Sequence, residues 1–151
     1  MTATNHALTG AVIGLAIANP LLAIPLALLS HYVLDALPHY HPDTPDERLM
    51  RSKGFMIYLA VEALLCFLIV LLLVISRPDG WLLAVFCAFV AAAPDLLSIP
   101  TFQRVRHGKP QKLNAYTRFA KNIQWFERPS GAIVEIVWFL SISIALISYL
   151  T

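Results

Sequence analysis

The sequence predicts an all-α protein, a polytopic membrane bundle of four or five helices with a short interfacial amphipathic helix before the last. Three observations predict it. Hydrophobic residues fill 58% of the 151 positions and charged residues only 13%, and a mean hydropathy of +0.69 is too high for a soluble domain of this size. The apolar residues run in long blocks, the pattern of helices immersed in lipid. Polar stretches rich in Pro, Asp, Arg and Lys separate the blocks. A single integral membrane domain, 1–151, is expected.

The first helix is expected over about 6–18, capped by Thr4 or Asn5 and broken by Asn19-Pro20. It is shorter than the roughly 20 residues of a full span, so it crosses with little tilt, enters only part-way, or forms a hairpin with the second helix. Gly10, Gly14 and Ala18 make a small-residue stripe that lets a neighbouring backbone approach. The second helix, about 20–37, contains Pro25 near its start and is closed by Pro38. The third, about 54–76, is long and nearly unbroken, with Glu62 as its one internal charge. After the turn at Arg77-Pro78-Asp79-Gly80, the fourth covers about 81–97 and ends Ala93-Pro94-Asp95. Within about 111–128, Tyr116, Phe119, Trp125 and Phe126 interleave with Arg118, Lys121 and Arg128, as in a helix lying on a membrane surface. The last helix, about 129–150, opens on Pro129, a favoured first helical residue, with Glu135 near its start. Cys66 and Cys87 lie inside apolar runs and read as small core residues. The first residues lack the basic region and cleavage pattern of a secretory signal, so the first apolar segment is expected to stay.

A net charge of +2 is too small for a nucleic-acid footprint, and no nucleic-acid partner is expected. Its placement is informative instead. Of the 11 Lys and Arg residues, all but Arg77 fall in 38–53 and 99–128. The positive-inside rule then puts the N-terminus and both loops in the cytoplasm and the C-terminus outside.

On that topology the ionisable residues gather. His6 opens the first helix, and His31 and Asp35 close the second, four residues apart and therefore on one face. His39 and His41 follow. Glu62 lies about two turns into the third helix, Asp95 ends the fourth, and Glu135 lies about two turns into the fifth. Such residues cost several kcal/mol each in a bilayer unless paired, hydrated or bound to a cation. Imidazoles and carboxylates at one depth suit Zn, Mn or Fe, with enough negative charge for two divalent ions. Weighed singly, His6 also fits a helix cap, the His31–Asp35 pair also fits a structural contact between helices, and Glu135 also fits a pair with Arg128 or Arg118.

The order Asn5-His6-Ala7-Leu8-Thr9-Gly10, then Ser30-His31-Tyr32-Val33-Leu34-Asp35-Ala36-Leu37-Pro38-His39, then Ala93-Pro94-Asp95-Leu96-Leu97 resembles the bacterial family of predicted membrane-bound, metal-dependent hydrolases. More distantly it is similar to zinc-dependent phospholipase C, where a His-x-x-x-Asp pair on a helix also binds metal. The resemblance implies that His6, His31, Asp35 and Asp95 correspond to metal ligands, with Glu62 at a position where relatives often carry an acid. One departure bears on activity. Ala120 stands directly after Phe119, where similar proteins tend to have His. Either this lineage lost a ligand or base, or the chain is an engineered variant with the site disabled; the fit of the surrounding residues slightly favours the second. Both put full activity of this sequence in question.

The expected function is hydrolysis of a phosphoester or ester in a lipid-like substrate at the cytoplasmic leaflet, with membrane lipid as surroundings. His6, His31, Asp35, Glu62 and Asp95 are the expected metal ligands; His39 and Glu135 are the candidates for general base or substrate contact. The rivals are a cation or proton carrier and a non-catalytic membrane partner whose buried polar residues are structural. A carrier calls for an acid aligned towards the outer leaflet, and the sequence has none. No Gly-rich phosphate loop, nucleophilic Ser elbow or dinucleotide fingerprint is present.

Overall fold

The computed structural model describes residues 1–43 and 46–151. Among the described residues the chain is all-helical, with eight α-helices and no strand. They are α1 (Ala3–Ala16), α2 (Pro20–Ala36), α3 (Asp46–Arg51), α4 (Lys53–Ser76), α5 (Trp81–Leu96), α6 (Ile99–Arg106), α7 (Ala115–Ile123) and α8 (Ala132–Ile147). A 3-10 turn, Pro129–Gly131, leads into α8.

Helix α1 starts three residues earlier than the sequence suggests. Thr2 caps it by accepting from the Asn5 amide. Thr4 and Asn5 are unavailable as caps because their side chains reach other helices. Thr4 Oγ1 donates to Glu62 of α4 at 2.8 Å, and Asn5 Nδ2 donates to the Glu135 carbonyl of α8 at 3.2 Å. Asn19 caps α2, with Pro20 at its first turn, and Pro25 is absorbed without ending the helix. Ser52 caps α4, and Arg77 ends it in the left-handed region at φ 47°. The last helix begins at Ala132 and not at Pro129, because the Pro129–Gly131 turn precedes it.

Small residues bring the central helices close. Gly10 of α1 lies on Cys87 and Ala91 of α5, and Gly14 lies on Ala84. Ala23 and Ala27 of α2 pack against the same Cys87 and Ala91. With little side chain between them, backbones approach and dispersion contacts accumulate over the whole interface. On its other sides α1 meets α4 and α8: Leu8 and Ala11 share a core with Ile69 and Leu73 of α4 and Leu146 of α8. Trp138 Nε1 donates to Thr9 Oγ1 at 3.0 Å, a further tie between α8 and α1. Helix α1 is thus the axis around which the others stand.

Two helical stretches, Lys53–Ser76 and Pro129–Ile147, are long and apolar enough to cross a membrane. The pair α5 and α6, bent by 41°, makes a third if counted as one span. The outward faces match: Phe67, Ile75, Leu82, Ile133 and Ile144 are each more than half exposed. Helices α1 and α2, at about 21 and 26 Å by their residue rise, fall short of the ~30 Å hydrocarbon core.

The polar stretches hold more structure than their composition announces. Helix α3 packs against α6, with Arg51 Nε donating to the Val105 carbonyl at 3.2 Å. Helix α7 opens on a capping box between Asn114 and Thr117 and lies against α2, where Phe119 meets Tyr32 at 5.6 Å between ring centroids.

Candidate metal centre

Three helices deliver the ligands to one end of the core. His6 stands one turn into α1; His31 and Asp35 occupy the last two turns of α2; Asp95 stands at the end of α5. One ligand atom from each of His6, His31 and Asp95 lies within 4.8 Å of the others. Asp35 sits against both imidazoles, with Oδ1 at 3.1 Å from His6 Nε2 and Oδ2 at 3.4 Å from His31 Nε2. The two rings are 4.1 Å apart at a 30° tilt. His6, His31 and Asp35 are buried, whereas the Asp95 side chain keeps 41% of its exposure and forms the open side.

His31 is oriented from behind. Its Nδ1 lies 2.8 Å from the Ala91 carbonyl, which can only accept, so Nδ1 carries a proton. A neutral ring then has its lone pair on Nε2, and that atom faces Asp35 Oδ2 at 3.4 Å and Asp95 Oδ1 at 3.9 Å. A lone pair set against two carboxylate oxygens is met by a cation between them or by a proton on the ring or on a carboxyl. The backbone-anchored imidazole is also how metal-binding His residues are held. His6 adds a second sign: its Nδ1 is buried with no hydrogen-bond partner. Donors around one tetrahedral ion are about 3.3 Å apart; the observed 3.9 Å between His31 and Asp95 is a small contraction away from that. The donor set of nitrogen and oxygen therefore fits a divalent ion.

Other residues complete the surroundings. Asp35 Oδ1 is 2.6 Å from Met1 N, and Asp35 Oδ2 accepts from Gln124 Nε2 at 3.1 Å. Tyr116 donates its hydroxyl to the Pro94 carbonyl at 2.8 Å; burial raises the phenol's pKa, so it stays a donor. Tyr116, Ala120 and Gln124 follow one another at four-residue spacing along α7 and its C-cap. Ala120 therefore lies between two residues that reach the ends of α5 and α2. Gln124 and Tyr116 were not singled out from sequence as site residues; that spacing was the available signal.

Glu62, His39 and Glu135 go elsewhere. Glu62 Oε2 accepts from both the amide and the hydroxyl of Thr4 at 2.8 Å each. Thr4 and His6 are two residues apart, hence about 200° apart around α1. Glu62 thus meets the side of α1 turned away from the imidazoles and stands outside the ligand group. His39 points its Nδ1 at the Leu37 carbonyl, 2.8 Å away, and its Nε2 at Glu127 Oε1, 3.3 Å away. Its backbone carbonyl accepts from Arg128 N at 3.1 Å, which ties the end of α2 to the entry of α8. Glu135 lines a cleft with Glu62. His41 faces Asp46 at 3.5 Å, and His107 is exposed. Cys66 and Cys87 are free thiols, half-buried and buried. No protein-family model matches the chain, and no curated protein and no solved structure matches it either.

Proposed function

We propose that His6, His31 and Asp95, with Asp35 bracing both imidazoles, hold a divalent metal ion that serves hydrolysis of a phosphoester or ester in a lipid-like substrate. The observation that carries the reading is His31: its proton is committed to Ala91, and its Nε2 lone pair faces two carboxylates. Bound there, such an ion would polarise a phosphoryl or acyl oxygen and acidify a water. The protein's own part is orientation. Ala91 fixes the His31 ring, Asp35 fixes His6, and Gln124 fixes Asp35. Partly exposed Asp95 marks the side from which substrate and water approach.

A lipid-like substrate is supported by the setting. The group lies at the helix ends of a body whose outer faces are apolar, the arrangement of a polytopic bundle. The concentration of Lys and Arg in 38–53 and 99–128 supports a cytoplasmic position for that end. His39 and Glu135, the candidates for general base or substrate contact, stand apart from this one group of donors, which supports a single ion.

A structural reading has its own support: Asp35 finds partners in Met1 N, His6, His31 and Gln124 without any ion. Elemental analysis of the purified full-length protein separates the two. About one equivalent of Zn, Mn or Fe is expected, lost in His31→Ala with helicity unchanged by circular dichroism. Metal-free protein with full helicity would remove the metal-centre reading. Metal without turnover of phosphodiester, phosphomonoester or acyl ester substrates, in this chain and in Ala120→His, would remove the hydrolase.

A further inference from the structure

The cations of 99–128 are short of counter-charge. Of the seven Lys and Arg residues in that stretch, Lys121 alone has a carboxylate partner among the described residues, Asp46 at 2.8 Å. The stretch's one acid, Glu127, turns to His39 Nε2 at 3.3 Å. Arg104, Arg106, Lys109, Lys112, Arg118 and Arg128 are all exposed.

Helix α7 sorts its residues by side. Tyr116, Thr117 and Ala120 are covered, whereas Arg118, Phe119 and Lys121 are exposed. Just past its C-cap, Trp125 stacks on Phe126 with ring centroids 5.0 Å apart, and the Arg128 guanidinium lies over the Phe126 ring at 4.2 Å. Trp125 is 70% exposed. A guanidinium held over an aromatic face keeps N–H groups at its edge for an anion. Main-chain bonds from Arg128 to His39 and His41 fix the residue that carries it.

Apolar surface borders these cations. Phe119 meets Tyr32 of α2, a helix whose Leu29 and Val33 are more than half exposed. Leu96 and Leu97, also more than half exposed, stand at the 41° bend where α5 gives way to α6. Arg104 comes five residues after Ile99, ~7.5 Å along α6. The headgroup layer on one side of a bilayer is about 5–8 Å deep, so the cations stand at phosphate level when those aliphatic residues lie in hydrocarbon. A nucleic acid would meet the charge and leave Leu29, Val33, Leu96 and Leu97 in water. We propose that the outer side of α6, α7 and 124–128 docks on anionic phospholipid, with Arg118 and Arg128 meeting headgroup phosphates.

The surface is separate from the metal group and is tested without turnover. Native mass spectrometry of the full-length protein in a nonionic detergent compares binding of dioctanoylphosphatidylglycerol with that of dioctanoylphosphatidylcholine. The anionic lipid is expected to bind at least tenfold more tightly. Each Lys or Arg beside an anionic surface strengthens attraction about fivefold, so Arg118→Gln combined with Arg128→Gln should weaken anionic-lipid binding about twentyfold, with helicity unchanged by circular dichroism. Arg77→Gln, which removes the cation at the opposite end of α4, should keep the preference. Equal binding of the two lipids, or a preference that survives the double variant, would overturn the proposal. Loss of the preference in Arg77→Gln would also overturn it, by assigning the effect to net charge. Displacement of the lipid by equimolar inorganic phosphate or by an equimolar DNA oligonucleotide would overturn it in favour of a free anion or a nucleic acid.

Discussion

Replacing Gly10 by Ala puts the packing of α1 against α5 to the test. A Cβ at position 10 would meet the Cys87 carbonyl oxygen and, at 2.7 Å, the Ala91 Cβ, where ordinary contact begins at 3.4 Å. Two of the nearest three atoms belong to the Cys87 main chain and cannot rotate away. The helices must therefore part by the better part of an ångström. Overpacking of this kind costs about 1–3 kcal/mol, while helix propensity favours Ala over Gly by about 1 kcal/mol. Because the obstruction is backbone, a net loss of roughly 2 kcal/mol is expected. His6 rides on α1 and Asp95 on α5, so parting the two helices separates two residues of the proposed ligand group. Affinity for the ion proposed above should fall about tenfold or more in the same variant. Gly54 is the control: a Cβ there meets nothing nearer than Ser52 Oγ at 4.0 Å, so Gly54→Ala should be neutral or stabilising. Thermal unfolding followed by circular dichroism reads the first effect, and chelator competition reads the second. If Gly10→Ala melts like Gly54→Ala, α1 and α5 do not touch as described.

Three other outcomes are expected. Ala120→His adds an imidazole between Tyr116 and Gln124, and chelator competition should show metal held about tenfold more tightly; unchanged affinity would show that position 120 does not face the group. Gly131→Ala drives a Cβ into the His39 main chain and should cost about 1–3 kcal/mol in the same melts; an unchanged melt would refute that close approach. Lys121→Ala breaks an exposed pair with Asp46, 2.8 Å long, and should cost less than ~1 kcal/mol. Because the Asp46 hydrogen bond raises the Lys121 pKa, that contribution is complete below the ordinary Lys value and lost as pH rises through the raised one. A melt difference that persists at higher pH would assign the effect to packing.

Depth along the helices was legible in the sequence; direction around them was not. Block lengths and loop charges put His6, His31, Asp35, Glu62, Asp95 and Glu135 at one end. Four-residue spacing sufficed to make His31 and Asp35 neighbours, at 3.4 Å. Glu62 was read with the same group because its depth matches. Its partner is set by which side of α1 receives α4, and nothing within the apolar run of α4 encodes that. The small-residue stripe of Gly10 and Gly14 announced a close helix contact, but the contacting helix, α5, lies about seventy residues away. Helices α3 and α6 escaped notice for a different reason. Short charged segments such as Asp46–Arg51 carry no apolar period, and here a tertiary neighbour holds them in shape, as Arg51 does on Val105.

Thr4, Asn5 and His6 are consecutive on one rigid rod, yet they answer to three different neighbours: Glu62, Glu135 and Asp35. None can be re-aimed alone. A rotation of α1 that moved Asn5 off the Glu135 carbonyl would turn His6 against Asp35 by the same angle. The first two turns of α1 therefore bind α4, α8 and α2 to one orientation of a single helix.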